Sequence, residues 1–156
     1  MTNRTWRRTS LSVVALAAAF GAGFLVGAPR YDVQPSAILS QQQAKREDFD
    51  WGTLYTYYSG ASYGTKDALA AVAVIKPGRE IHPPHAHAEE EYLMVIEGHG
   101  TWHLNGKEQP ARAGDMQYAA PWDVHGVSNT GDKPLTFVVW KWNSNGVAVP
   151  VKPAGS

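Results

Sequence analysis

An all-β fold, a sandwich or barrel of short antiparallel strands, is the class this sequence predicts. Three observations carry it. Short runs rich in β-branched and aromatic residues recur beyond residue 47, turn clusters separate them at roughly regular spacing, and that region shows no amphipathic helix of twelve or more residues. In chain order the predicted strands are Leu54 to Tyr58, Ala70 to Ile75, Tyr92 to Ile96, Thr101 to Leu104, Lys107 to Gln109, Met116 to Ala119 and Leu135 to Trp142. Between them stand Ser59-Gly60, Lys76-Pro77-Gly78-Arg79, Glu97-Gly98-His99-Gly100, Asn105-Gly106, Ala113-Gly114-Asp115 and Asn129-Thr130-Gly131-Asp132. Asn105-Gly106 is the strongest hairpin signal, because a type I′ turn needs positive φ at both central residues and Asn and Gly tolerate it best.

The domain is preceded by a different kind of segment. Arg4, Arg7 and Arg8 precede an uncharged run of eighteen residues, Leu11 to Ala28, so residues 1–28 read as a hydrophobic helix serving as signal peptide or membrane anchor. Pro29 would obstruct a cut after Ala28, which favours retention as an anchor over removal. If uncleaved, this segment makes the membrane a partner. Either way the body of the protein is expected outside the cytoplasm, periplasmic or otherwise extracytoplasmic. Residues 29–46, with Pro29, Pro35 and Gln41-Gln42-Gln43, read as a linker in which a short helix over Ser36 to Lys45 is conceivable; residues 47–156 form the β domain.

Composition narrows the functional classes. With 156 residues, 44% hydrophobic and 18% charged, the chain is neither collagen, coiled coil nor wholly disordered. The formal net charge is zero, but residues 47–156 hold eight basic and thirteen acidic residues, a net of −5. So acidic a body repels phosphates, and nucleic acid is not expected as a partner. There are no cysteines, so disulfides, thiolate metal sites and Cys nucleophiles are excluded.

The chemistry gathers between Gly78 and Gly98. His85 and His87 are two apart, so on extended backbone both imidazoles project to one face, within reach of one metal ion. Glu91 follows four residues after His87, and His125 comes 34 residues later, in a segment that opens with Pro121 and leads to Asn129. Taken singly, each is equally well read as an ordinary polar surface residue. Glu89 and Glu90 read as solvated rim charges, and His99 and His103 as structural. His82, three before His85, reads first as a solvated turn residue; its functional alternative is a donor supporting the ligands or a base at the pocket edge.

The wider spacing resembles the cupin superfamily, in particular its small single-domain bacterial members with a type-2 conserved barrel. The first motif of that family is matched by Gly78, His85-Ala86-His87, Glu91 and Gly98; the second by Gly114, Pro121, His125 and Asn129. The first and second motifs each carry one spacing a residue longer than usual, and Asp123 stands where a glycine normally follows the proline. The resemblance covers about residues 66–142. It implies a small jelly-roll β-barrel in which His85, His87, Glu91 and His125 ligate one divalent metal. Three neutral imidazoles and one carboxylate suit Fe(II), Mn(II), Ni(II), Cu(II) or Zn(II) and leave positions open for a further ligand. It also implies a homodimer paired through sheet edges.

Tyr118, Trp102, Trp140 and Trp142 fall in or beside predicted strands. They read as core packing or as the wall of an apolar substrate pocket. Trp140 and Trp142 share one face by alternation, so both point inward toward a pocket or both outward. Two functions follow: an extracytoplasmic metalloenzyme of dioxygenase, isomerase or lyase type acting on a small organic molecule, or a non-enzymatic module binding a small ligand around a structural metal. No acid/base dyad or further cofactor motif independently names a catalytic residue.

Overall fold

A computed structural model describes residues 35–155. The expected leader or anchor, residues 1–28, lies outside the described residues. Nine strands follow a 3-10 turn at Gln41–Gln43: β1 Lys45–Phe49, β2 Gly52–Gly60, β3 Ala68–Ile75, β4 Glu90–Glu97, β5 His99–Leu104, β6 Lys107–Arg112, β7 Met116–Ala119, β8 His125–Ser128 and β9 Leu135–Trp142. They form a six-stranded sheet in the order β1-β2-β3-β9-β4-β7 and a three-stranded sheet in the order β6-β5-β8. All strand pairs are antiparallel. Among the described residues no helix is long and apolar enough to cross a membrane.

Strand alternation builds the core. Ala71, Ala73 and Ile75 of β3, Leu93 and Val95 of β4, and Leu135, Phe137 and Val139 of β9 turn inward from the large sheet. They meet Trp102 of β5, Ala111 of β6 and Val127 of β8 from the small one. The β5–β6 hairpin closes as expected at Asn105-Gly106, with φ +48° and +75°, the two positive values a type I′ turn requires. Gly98, between β4 and β5, has φ +83°, and a Cβ there would lie 2.5 Å from the Pro134 carbonyl oxygen, so the turn seats against the start of β9 only as glycine.

The conceivable helix over Ser36 to Lys45 is reduced to the single turn at Gln41–Gln43, capped by Ser40. This segment has no apolar stripe to bury, and from Lys45 onward its backbone pairs with β2.

Candidate metal centre

Two separate pieces of chain deliver the histidines. His85 and His87 lie in the segment leading into β4, not on a regular strand as their spacing suggested. His85 is held by a single antiparallel bridge to His125, with each N–H donating to the other's carbonyl at 3.0 and 2.9 Å. That bridge sets the two rings side by side, with centroids 4.9 Å apart. The His87 carbonyl accepts the Trp122 N–H at 2.8 Å, and its ring lies 5.1 Å from that of His85 and 4.8 Å from that of His125. One candidate ligand nitrogen from each of His85, His87 and His125 lies within 4.8 Å of the other two. Glu91, at the start of β4 and buried, spans two of them: Oε1 is 3.2 Å from His125 Nε2 and Oε2 is 3.2 Å from His87 Nε2.

The donor set fits a cation. His125 Nδ1 lies 2.8 Å from the Asp123 carbonyl, which can only accept, so the proton of a neutral His125 sits on Nδ1 and leaves a lone pair on Nε2. That lone pair stands beside a carboxylate oxygen without an aligned hydrogen bond, and His85 Nδ1 is likewise buried without one. His87 repeats the pattern, with Nδ1 at the Glu89 carbonyl and Nε2 at Glu91. Acceptors turned toward acceptors in a buried site call for a proton or a metal ion between them. The outer hydrogen bonds of His87 and His125 are those that fix the tautomer of metal-bound imidazoles.

The same crowding governs protonation. Burial first, then the neighbouring histidines His82, His125 and His87, hold the His85 imidazole down to about 4. Burial pushes the Glu91 carboxyl up, but His125 and His87 together outweigh it and hold it at about 2. Burial lowers the His125 imidazole, yet the adjacent Glu91 carboxylate and the Asp123 carbonyl leave it raised. At neutral pH the site therefore offers an ionised carboxylate and at least one free imidazole.

A cavity of about 170 Å³ opens beside the histidines. His82, His85, Glu91 and His125 form one wall; Leu54, Leu69, Ile81, Leu93, Phe137 and Val139 supply apolar surface, and Lys141 also lines it. His82 thus stands at the pocket edge, its ring 3.9 Å from that of His85. Glu89 is not simply a solvated rim charge: its carboxylate lies 3.2 Å from His87 Nδ1.

The four aromatic pocket candidates are not brought to this cavity. Trp102 is 7% exposed within the core, and together with Tyr118 it lines a separate hollow beside β6 and β7. Tyr118 donates to Glu90 on the outer face. Trp140 and Trp142 take the outward alternative. Phe137, Val139 and Lys141 occupy the inward positions of β9, and Trp142 stacks on Tyr92 outside. The liners Leu54, Leu69, Ile81, Leu93, Phe137, Val139 and Lys141 were not identified from sequence. Once Glu91 is taken as inward, alternation along β4 and its pairing with β9 would have found Leu93, Val139 and Lys141.

At the second-motif turn the left-handed residue is Trp122, with φ +68°. A tryptophan there costs on the order of 1–2 kcal/mol relative to glycine. Its N–H to His87 and its Nε1–H to the Pro150 carbonyl at 2.8 Å hold it in place. His103 lies away from this cavity, with Nε2 3.0 Å from Ser128 Oγ and Nδ1 3.3 Å from Glu108. Asn129 follows β8 and is buried, donating to the Ile75 and Lys133 carbonyls and accepting from the Gly131 N–H, which ties the end of the His125 strand to β3.

Comparison with known proteins agrees with this architecture. The family model for the cupin domain matches residues 71–141. A gentisate 1,2-dioxygenase from a Streptomyces species is 29% identical over 82 residues, 52% of this chain but 23% of the dioxygenase. An oxalate-binding protein from Thermotoga maritima is 32% identical over 73 residues, 47% of this chain and 60% of that protein. The matches thus span less than two thirds of either relative. Among solved structures, a Klebsiella pneumoniae protein with a double-stranded β-helix domain is similar at a TM-score of 0.57 and 29% identity, covering 76% of this chain and all 100% of the other.

Proposed function

From the premise that the chain is a small cupin-type protein, we propose that it is a metal-dependent enzyme acting on a small organic molecule outside the cytoplasm. The observation that carries this reading is the convergence of three imidazoles and one buried carboxylate beside an apolar cavity large enough for a small substrate, with His85, His125 and Glu91 on its wall. His85, His87, Glu91 and His125 would hold one divalent ion, Fe, Mn, Ni, Cu or Zn. When bound, the ion would supply Lewis-acid polarisation of a substrate oxygen or a seat for O₂. The protein's part is to keep Glu91 ionised, to fix the His87 and His125 tautomers through Glu89 and Asp123, and to exclude bulk water with Leu54, Leu69, Phe137 and Val139. The names of the relatives, a dioxygenase among them, support chemistry on a small organic substrate. The basic-then-apolar pattern of residues 1–28 supports export.

The test starts with metal analysis of protein purified from its native compartment, then compares variants. Replacing His85 or His87 with Ala should weaken metal binding at least about tenfold, and replacing His82 much less, since even losses behind the ligands have effects of that order. In an O₂-consumption and substrate screen, Glu91→Gln should lower turnover far more than thermal stability, because it changes the charge on the ion while nearly keeping shape. Equal metal loss from the His82 and His85 variants sinks the ligand set. A metal-loaded protein that binds small ligands but turns none over points to a binding module, and native protein found soluble in the cytoplasm overturns export.

A further inference from the structure

Among the described residues, Lys141 is the only lysine or arginine lining the cavity beside the histidines. It occupies an inward position of β9, in line with Phe137 and Val139, and stands directly across from Glu91 on β4. Its side chain is 31% exposed, so the ammonium is partly desolvated and a counter-charge beside it is favoured. The counter-charge present is loose. The nearest carboxylate oxygen, Glu89 Oε1, is 3.9 Å from the ammonium, against about 2.8 Å for a direct charge-assisted hydrogen bond, and the other Glu89 oxygen is engaged at His87 Nδ1. The ammonium therefore has donors left for an anion entering the cavity.

The remainder of the cavity defines what else that anion must carry. Leu54, Leu69, Leu93, Phe137 and Val139 offer hydrocarbon and no hydrogen-bonding side chain. The volume of about 170 Å³ is close to that of an apolar protein cavity known to accept one benzene ring. We propose that this site selects small carboxylates with an apolar body, a single ring or short chain, and that Lys141 is the residue that reads the carboxylate. The assignment rests on the cavity being the substrate site of the proposed enzyme, and it names that substrate's class. With the carboxylate fixed at Lys141, the apolar body lies against Phe137 and Val139, and the histidine wall faces the part of the molecule to be transformed.

The test is calorimetric titration of the full chain, metal-loaded and EDTA-treated, with benzoate, butyrate and the neutral isostere benzamide. Wild type should bind benzoate at least about tenfold more tightly than benzamide, the usual gain from one charge-assisted contact. Lys141→Met should erase that difference while leaving benzamide affinity in place, and Lys141→Arg should keep it. Should Lys141→Met fail to fold, Lys141→Gln against Lys141→Arg makes the same comparison at nearly constant polarity. Equal binding of acid and amide by wild type, a preference that survives loss of the charge, or no binding of either acid at millimolar concentration overturns the assignment. Metal content read on the same samples separates the two claims. A chain that holds no metal yet prefers benzoate refutes the metalloenzyme and keeps the carboxylate pocket; a metal-loaded chain with no preference does the reverse.

Discussion

His85 combines a half-buried ring with an imidazole held at about 4, against an ordinary 6.5, and this ties the site to the pH dependence of stability. Between pH 6.5 and 4 the unfolded chain takes up a proton at this residue that the folded chain refuses, so the folded state loses stability as pH falls through that window. Glu91, held at about 2 against 4.5, has the same sign lower down: its contribution is present above pH 4.5 and is lost as pH falls toward 2. His125 is raised and opposes them, contributing below pH 6.5 and losing that contribution as pH rises through its folded value. The metal-free protein should therefore show urea midpoints that decline from pH 6.5 to 4, and His85→Asn should flatten much of that decline. An unchanged slope in the variant would mean that the ring is solvated rather than buried among the other histidines.

At the scale of elements, one buried side chain beyond the candidate ligands anchors the end of β8. Asn129 bonds three backbone groups from two segments, the Ile75 carbonyl at the end of β3 and the Lys133 carbonyl and Gly131 N–H of the loop before β9. Asn129→Ala leaves these buried groups unpaired, so a loss of about 2–4 kcal/mol is expected in urea denaturation, with weaker metal binding because His125 sits four residues away. Asn129 was legible in the sequence as the last residue of the second motif, and the bounds of β7 and β9 were read correctly. Those strands carry dense β-branched and aromatic residues between turn signals, so local propensity suffices. β1 was missed because its sequence, KREDF, is charged and mostly exposed at a sheet edge, where pairing to β2 rather than propensity makes the strand. β8 was missed because it is four residues long and contains Gly126. His85, His87, Glu91 and His125 were legible as a group only through their resemblance to a known motif. The cavity wall was not, because β9 alternates Val138, Trp140 and Trp142 with Phe137, Val139 and Lys141. Which set faces inward is decided by pairing with β4, a long-range fact.

Across the whole molecule, the candidate ligands join two regions distant in sequence: the start of β4 with the segment just before it, on the side of the six-stranded sheet, and β8 in the three-stranded sheet. A metal held by all of them would cross-tie the two sheets at one end of the core. The unfolded chain has no preformed site, so binding free energy becomes folding free energy. With free metal at about one hundred times its dissociation constant, the folded state gains about 2.7 kcal/mol. In a domain of this size, that corresponds to a rise in Tm on the order of 10 °C. Thermal scans with and without excess EDTA should therefore differ by about that much for the wild-type chain. The difference should fall to about half or less for His125→Ala, which removes the ligand contributed by the smaller sheet. Trp140→Ala, on the outer face of β9, should keep the full difference even if it lowers both midpoints, because it is outside the linkage. A chelation shift of the same size in His125→Ala would mean that the stabilising ion binds elsewhere, and that the imidazoles gathered between the sheets are not what holds it.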